Sequence, residues 1–233
     1  MARIGSATLP GVAGDDGAGR GRFVTIEGPE GAGKTSQAER LRRRVVAAGL
    51  DVVVTREPGG TAVGERVRAI LLDPAATHVA RTDALLFNAA RAQLVADVIR
   101  PALERGAVVI STRFADSTLA YQGFGGRLPL DDLRRLEAFA TNGLRPDLTI
   151  LLDLPAEVGL ARKGTETTRF ESRFGLDFHR RVRDGFRTLA DGEPDRFVVV
   201  DAAAPEEQVG RAVLAALTRL PGLAVVSAAP GDR

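Results

Sequence analysis

Gly28-Pro29-Glu30-Gly31-Ala32-Gly33-Lys34-Thr35 has the spacing G-x-x-x-x-G-K-[ST], and it stands between an apolar run, Phe23-Val24-Thr25-Ile26, and an amphipathic stretch that predicts a helix over 34–48. A strand, a Gly-rich turn and a helix in that order make a phosphate cradle. The glycines let backbone N–H groups close round phosphate oxygens, and the helix offers its positive N-terminal end. Lys34 places a compact charge on the β- and γ-phosphates, and Thr35 offers its hydroxyl to Mg²⁺. Only Lys34 and Lys163 are lysines among 32 basic residues, so the lysine in the motif's fixed slot stands out against an arginine background. Arginine's planar fork does not fit where a point charge on a flexible stem is needed. The chain is therefore expected to bind a nucleoside triphosphate through Gly28, Glu30, Gly31, Ala32, Gly33, Lys34, Thr35 and Ser36, with Thr35 as the metal ligand.

Working outward, 233 residues with 44% hydrophobic and 27% charged content suit one globular α/β domain. The absence of cysteine excludes disulfides and thiolate metal sites and fits a reducing cytoplasm. No signal-peptide core and no membrane-length apolar run is present, so a cytoplasmic protein without membrane contact is expected. The pI of about 9.6 reflects arginine replacing lysine rather than excess charge, which is only +2, and nucleic acid is discounted as a partner. Residues 1–21 read as a flexible leader, 22–220 as the domain and 221–233 as a loose tail.

Within the domain, strands are predicted at 22–27, 51–55, 107–111, 147–153 and 196–201, and helices at 34–48, 63–72, 82–104, 115–122, 130–141, 155–162, 172–190 and 205–219. Runs such as Ala107-Val108-Val109-Ile110 are apolar on both faces, as buried parallel strands must be. In such sheets ligands sit beyond the carboxyl ends of the strands, so polar residues just after each strand are the candidates. They are Thr55-Arg56-Glu57-Pro58-Gly59-Gly60 after the second strand and Thr112-Arg113 through Ser117-Thr118 to Tyr121-Gln122 after the third, where the only tyrosine stands. Phe87 and Arg91, four apart on one helix face, offer an aromatic plane beside a guanidinium, which suits a planar base. The segment 162–171, with Arg162, Lys163 and Arg169, reads as a basic lid that would close over a migrating phosphoryl group.

Taken in order, P-E-G-A-G-K-T at 29–35, T-R-E-P-G-G at 55–60, L-L-F-x-A-x-R at 85–91, S-T-x-A-Y-Q at 117–122 and R-P-D-L-T-I-x-L-D at 145–153 resemble the thymidylate kinase family. The resemblance runs from Phe23 to about Leu217. It implies a three-layer P-loop fold with a five-stranded parallel sheet, helices on both faces and a short lid. It also implies ATP as co-substrate, Mg²⁺ as cofactor, dTMP as acceptor and a homodimer. By the family pattern, Lys34, Arg113 and Arg169 are catalytic, and Glu30 faces the sugar 3′-hydroxyl. Arg68 and Arg113 hold the acceptor phosphate, Phe87 stacks on thymine, and Arg91 and Thr118 meet the base edge with Gln122 in support. Tyr121 crowds the sugar's 2′ carbon, Glu57 and Ser117 complete the substrate set, and Asp201 to Pro205 resembles the loop near adenine.

Two positions depart from the pattern. Thr112 stands where an Asp is usual before Arg113, and Thr168 where an Asp is usual before Arg169. Without an acid at 112, Mg²⁺ is expected to lean on Thr35, the phosphates and Glu57 or Asp153. A kinase for another nucleoside monophosphate, and a nucleotide-binding homologue with weakened catalysis, remain the alternatives at this point.

Overall fold

The computed structural model describes residues 20–163 and 174–228. Five strands, β1 (Arg22–Glu27), β2 (Val52–Arg56), β3 (Val108–Thr112), β4 (Leu148–Asp153) and β5 (Phe197–Asp201), form one all-parallel sheet in the order β2-β3-β1-β4-β5. The central strand β1 therefore ends between β3 and β4, and the phosphate loop leaves the sheet where the strand order reverses. That is the crevice in which doubly wound sheets hold ligands.

Side chains alternate across the sheet. Val24, Ile26, Val108, Ile110, Leu148, Ile150 and Leu152 face one layer, where they pack on α1 (Lys34–Ala47) and a later helix, Glu206–Leu217. Phe23 and Val109 face the other layer, packing on α3 (Ala80–Leu94) and its continuation. Leu151 on the same side meets Phe178, Val182 and Phe186 of the helix Leu176–Gly192. This second face also buries Thr25, Glu27, Ser111 and Thr149 completely. Thr25 and Thr149, neighbours on β1 and β4, satisfy each other through their hydroxyls at 2.9 Å.

The remaining helices in chain order are α2 (Ala62–Leu72), α4 (Arg100–Glu104), α5 (Ala115–Thr118), α6 (Leu130–Thr141), α7 (Ala156–Lys163), α8 (Leu176–Gly192), α9 (Glu206–Leu217) and α10 (Ala224–Ala228). The long helix expected over 82–104 is interrupted by a π-helical turn, Val95–Ile99, in which the Arg100 N–H bonds to Val95 O. Pro101 accounts for it: its ring crowds the carbonyl four residues back, and the wider turn relieves that contact. A second π-turn, Leu119–Gly125, extends α5 through Tyr121 and Gln122. Part of the segment expected as a loose tail is packed instead. Leu223 and Val226 are buried in the layer of α1 and α9, because apolar residues at that spacing cover the open end of the core. Residues 1–19, most of the expected leader, lie outside the described residues, as do 164–173 within the expected lid.

Candidate active site

The phosphate loop, 28–33, turns sharply between β1 and α1, and two of its glycines are required by contact. A Cβ on Gly28 (φ 142°) would lie 2.5 Å from Leu152 O, and one on Gly31 (φ 70°) would lie 2.1 Å from Gly159 O. The loop thus rests backbone to backbone on β4 and on α7. The first turn of α1 has no side-chain cap and no acid, which leaves its N-terminal end without a built-in anion. The Lys34 ammonium folds back over the loop and donates to Gly28 O at 2.9 Å and Pro29 O at 2.6 Å. Thr35 and Ser36 are exposed at the mouth.

Facing the loop is the turn after β3. Arg113, at φ 70° in the left-handed region that side chains avoid, points its guanidinium at the loop. Its Nη2 donates to Glu30 Oε1 at 2.7 Å and to the Tyr121 hydroxyl at 3.0 Å, and its Nη1 donates to Ser117 Oγ at 3.2 Å. The Tyr121 hydroxyl donates in turn to Glu30 Oε1 at 3.0 Å, and the guanidinium lies 4.7 Å from the tyrosine ring centre. Arg68, from α2, donates to Pro58 O at 2.8 Å, and Arg56 stands nearby with Glu65 at 3.0 Å. Burial, with Arg56 and Arg113 close by, pushes the Arg68 guanidinium below the usual arginine range. Cations crowded in this way favour an anion among them.

Arg91, 1% exposed, is the hub of the inner wall. Nε and Nη2 grip Glu57 at 2.9 and 2.6 Å, Nη2 also reaches Phe114 O at 3.0 Å, and Nη1 is shared among Thr118 Oγ1 at 3.0 Å, Asn88 Oδ1 at 3.3 Å and Glu137 Oε1 at 3.4 Å. A guanidinium has only five N–H donors, so those of Arg91 are all engaged within the protein. Burial pushes the Glu137 carboxyl up to about 8, against the pull of Arg91.

A cavity of about 340 Å³ joins these parts. Glu30, Gly31, Ala32, Gly33, Lys34, Thr35 and Ser36 line one end, and Glu57, Arg68, Phe87, Arg91, Arg113, Ser117, Thr118, Tyr121 and Gln122 line the rest, together with Arg56, Pro58, Leu72 and Thr112. Of the residues expected in the site, Gly28 opens the loop but does not line the cavity, and Arg169 lies outside the described residues. Arg162 donates to Ala202 O at 2.9 Å, tying α7 to the 201–205 loop.

The two acids expected near Mg²⁺ are committed elsewhere. Glu57 is held by Arg91, and Asp153 by both ends of Arg183 at 2.8 and 2.9 Å, with Arg187 at 3.5 Å. Among the described residues no group of three or more His, Cys, Asp or Glu could hold a metal. Sequence reading also passed over Glu27, Asp116 and Glu137. For Glu137 a signal existed, since Leu133, Glu137 and Thr141 recur at helical spacing on the buried side of α6. Glu27 is a lone acid closing an apolar strand.

The family model described as thymidylate kinase matches residues 26–213. The thymidylate kinase of Deinococcus radiodurans is 53% identical over 202 residues, which cover 85% of this chain and 97% of that protein. Those of Desulfovibrio desulfuricans and Geobacter sulfurreducens are each 52% identical, over 80% and 83% of this chain and 90% and 94% of their own lengths. The chain belongs to the thymidylate kinase family.

Proposed function

We propose that the protein transfers the γ-phosphoryl group of ATP to a phosphate oxygen of dTMP, giving dTDP and ADP, and that the residues lining the cavity divide the work between the two substrates. One observation carries the division: a phosphate loop at one end and a cluster of cations with an aromatic slot at the other share a single cavity. Two phosphates that must react in line are thereby held end to end.

On this reading the Lys34 ammonium exchanges the carbonyls of Gly28 and Pro29 for the phosphate oxygens of ATP, and the open end of α1 faces the same charge. Arg113 and Arg68 hold the dTMP phosphate, and Arg56, a candidate after β2 to which the family pattern gave no role, stands beside them. Glu30 Oε1, already accepting from Arg113 and Tyr121, takes the sugar 3′-hydroxyl, while the Tyr121 ring closes the 2′ side. Phe87 stacks on the base. Arg91, fixed by Glu57 and Glu137, presents a rigid edge with Thr118 and Gln122 rather than a free donor. Arg169 is assigned the lid cation that meets charge developing in transfer.

Mg²⁺ fits this donor set as an ion that arrives with the nucleotide. The exposed Thr35 hydroxyl would be the protein's ligand, with the nucleotide phosphates supplying oxygen donors. When bound, it neutralises charge shared by the β- and γ-phosphates.

The assembly is assigned as a homodimer through α2, α3 and α6, where Val63, Ile70, Leu85 and Phe139 are exposed apolar side chains and Phe139 is 88% exposed. An isologous contact between copies would cover them.

A steady-state assay with ATP, Mg²⁺ and dTMP, dUMP, dCMP, dAMP, dGMP or UMP tests the function. The highest kcat/KM with dTMP supports it, and a preference for another monophosphate contradicts it.

A further inference from the structure

Glu27 closes β1 immediately before the phosphate loop, yet it lines neither end of the cavity. Its side chain is fully buried on the sheet face shared by Thr25, Ser111 and Thr149. Both carboxylate oxygens are used. Oε1 accepts the Phe114 N–H at 2.6 Å, and Oε2 accepts the Ser117 hydroxyl at 2.6 Å. With its proton given to Glu27, Ser117 Oγ presents a lone pair to Arg113 Nη1 at 3.2 Å. The other end of the same guanidinium reaches Glu30 and Tyr121. One carboxylate therefore fixes the 113–117 turn at two points and sets the polarity of the hydroxyl on which Arg113 leans.

This arrangement is costly for the fold. A buried carboxylate loses its hydration, and a second one, Asp116, lies next to it. Asp116 is matched by both ends of Arg196, at 2.6 and 2.8 Å, whereas Glu27 is held by a backbone N–H and a hydroxyl. The backbone it braces is itself strained at Arg113, with φ of 70°. Cost of this kind beside a reactive site is expected where position matters more than stability.

We propose that Glu27 is a positioning residue for the acceptor site: through Ser117 Oγ and the Phe114 N–H it holds the Arg113 guanidinium where the dTMP phosphate is bound. The inference rests on the reading of Arg113 given above.

Glu27→Gln keeps the volume but turns an amide N–H₂ group towards Ser117 or Phe114. In the first case Ser117 must accept from both the amide and Arg113, and its own proton loses its partner. Initial-rate kinetics on Glu27→Gln, Ser117→Ala, the double variant and Arg113→Ala, each with a thermal melt, test the proposal. Expected are a dTMP KM raised about tenfold in each of the first two and an unchanged ATP KM. The double variant should be no worse than the poorer single, because both break one chain of bonds. If Arg113→Ala itself leaves the dTMP KM unchanged, the assignment of Arg113 is at fault. If Arg113→Ala raises it while folded Glu27→Gln does not, the positioning role alone is overturned. Equal rises for ATP and dTMP mean a merely structural role and also overturn it. Should Glu27→Gln fail to fold, Ser117→Ala against Arg113→Ala decides by the same criteria.

Discussion

Glu30 and Arg113 meet at 2.7 Å across the mouth of the site, joining the phosphate loop to the turn after β3. Their ion pair is closed by the Tyr121 hydroxyl, which bonds to both, so three residues spread over 92 positions of the chain act as one cluster. On the reading proposed above, an acceptor phosphate held by Arg113 would sit beside this cluster, which would couple acceptor binding to the phosphate loop through Glu30.

Lys34→Ala removes a charge that is most useful as negative charge shifts during transfer. Turnover should fall at least about a hundredfold while the melting temperature stays near wild type. Steady-state kinetics with a thermal melt check it, and near-normal turnover would refute the catalytic role.

Glu137 gives a pH-dependent stability. Its folded-state value is raised to about 8, so between about 4.5 and 8 the folded state holds a proton that the unfolded chain has released. The stability contributed by this group is present below about 4.5 and is lost as the pH rises towards 8. Glu137→Gln, which cannot ionise, should therefore flatten the decline and gain on the order of 3 kcal/mol relative to wild type on going from pH 5 to pH 8. Urea titrations at the two pH values measure it. An identical slope in both proteins would show that Glu137 ionises as it does in the unfolded chain.

Thr112 lines the cavity, at the position where the family pattern has an acid. Thr112→Asp should lower the Mg²⁺ concentration needed for half-maximal rate by several-fold, because the carboxylate adds charge where the wild type offers only a hydroxyl. Superimposable Mg²⁺ titrations would mean that position 112 does not feel the ion.

Phe139→Asp places a charge on the most exposed apolar side chain of the α6 face. Light scattering after size exclusion should show a dimeric wild type and a monomeric variant at micromolar concentration, with the variant still folded. A wild type that is monomeric throughout, or a variant that stays dimeric, would move the interface elsewhere or remove it.

Much of this was legible in the chain because local rules carried it. Glycines at 28, 31 and 33 with Lys34 define the loop, and five doubly apolar runs define a parallel sheet whose strand ends the structure shifts by a residue at most. What was not legible depends on partners distant in sequence. Arg91 reads as a free base-edge donor until Glu57, 34 residues away, and Glu137, 46 away, are folded against it. Glu27 is one acid in an apolar strand, and only tertiary packing brings Phe114 and Ser117 to its two oxygens. The π-turn at 95–99 was foreshadowed by Pro101 but hidden by an otherwise unbroken helical period.

ATP and dTMP are assigned to the two ends of one cavity, with their phosphates in line. An analogue joining adenosine to thymidine through a chain of phosphates, used as an inhibitor in initial-rate experiments, tests it most directly. Inhibition competitive with ATP and, separately, competitive with dTMP is expected, with binding far tighter than either half alone. Competition with one substrate only would contradict it, placing the second substrate outside the cavity that runs from Lys34 to Phe87.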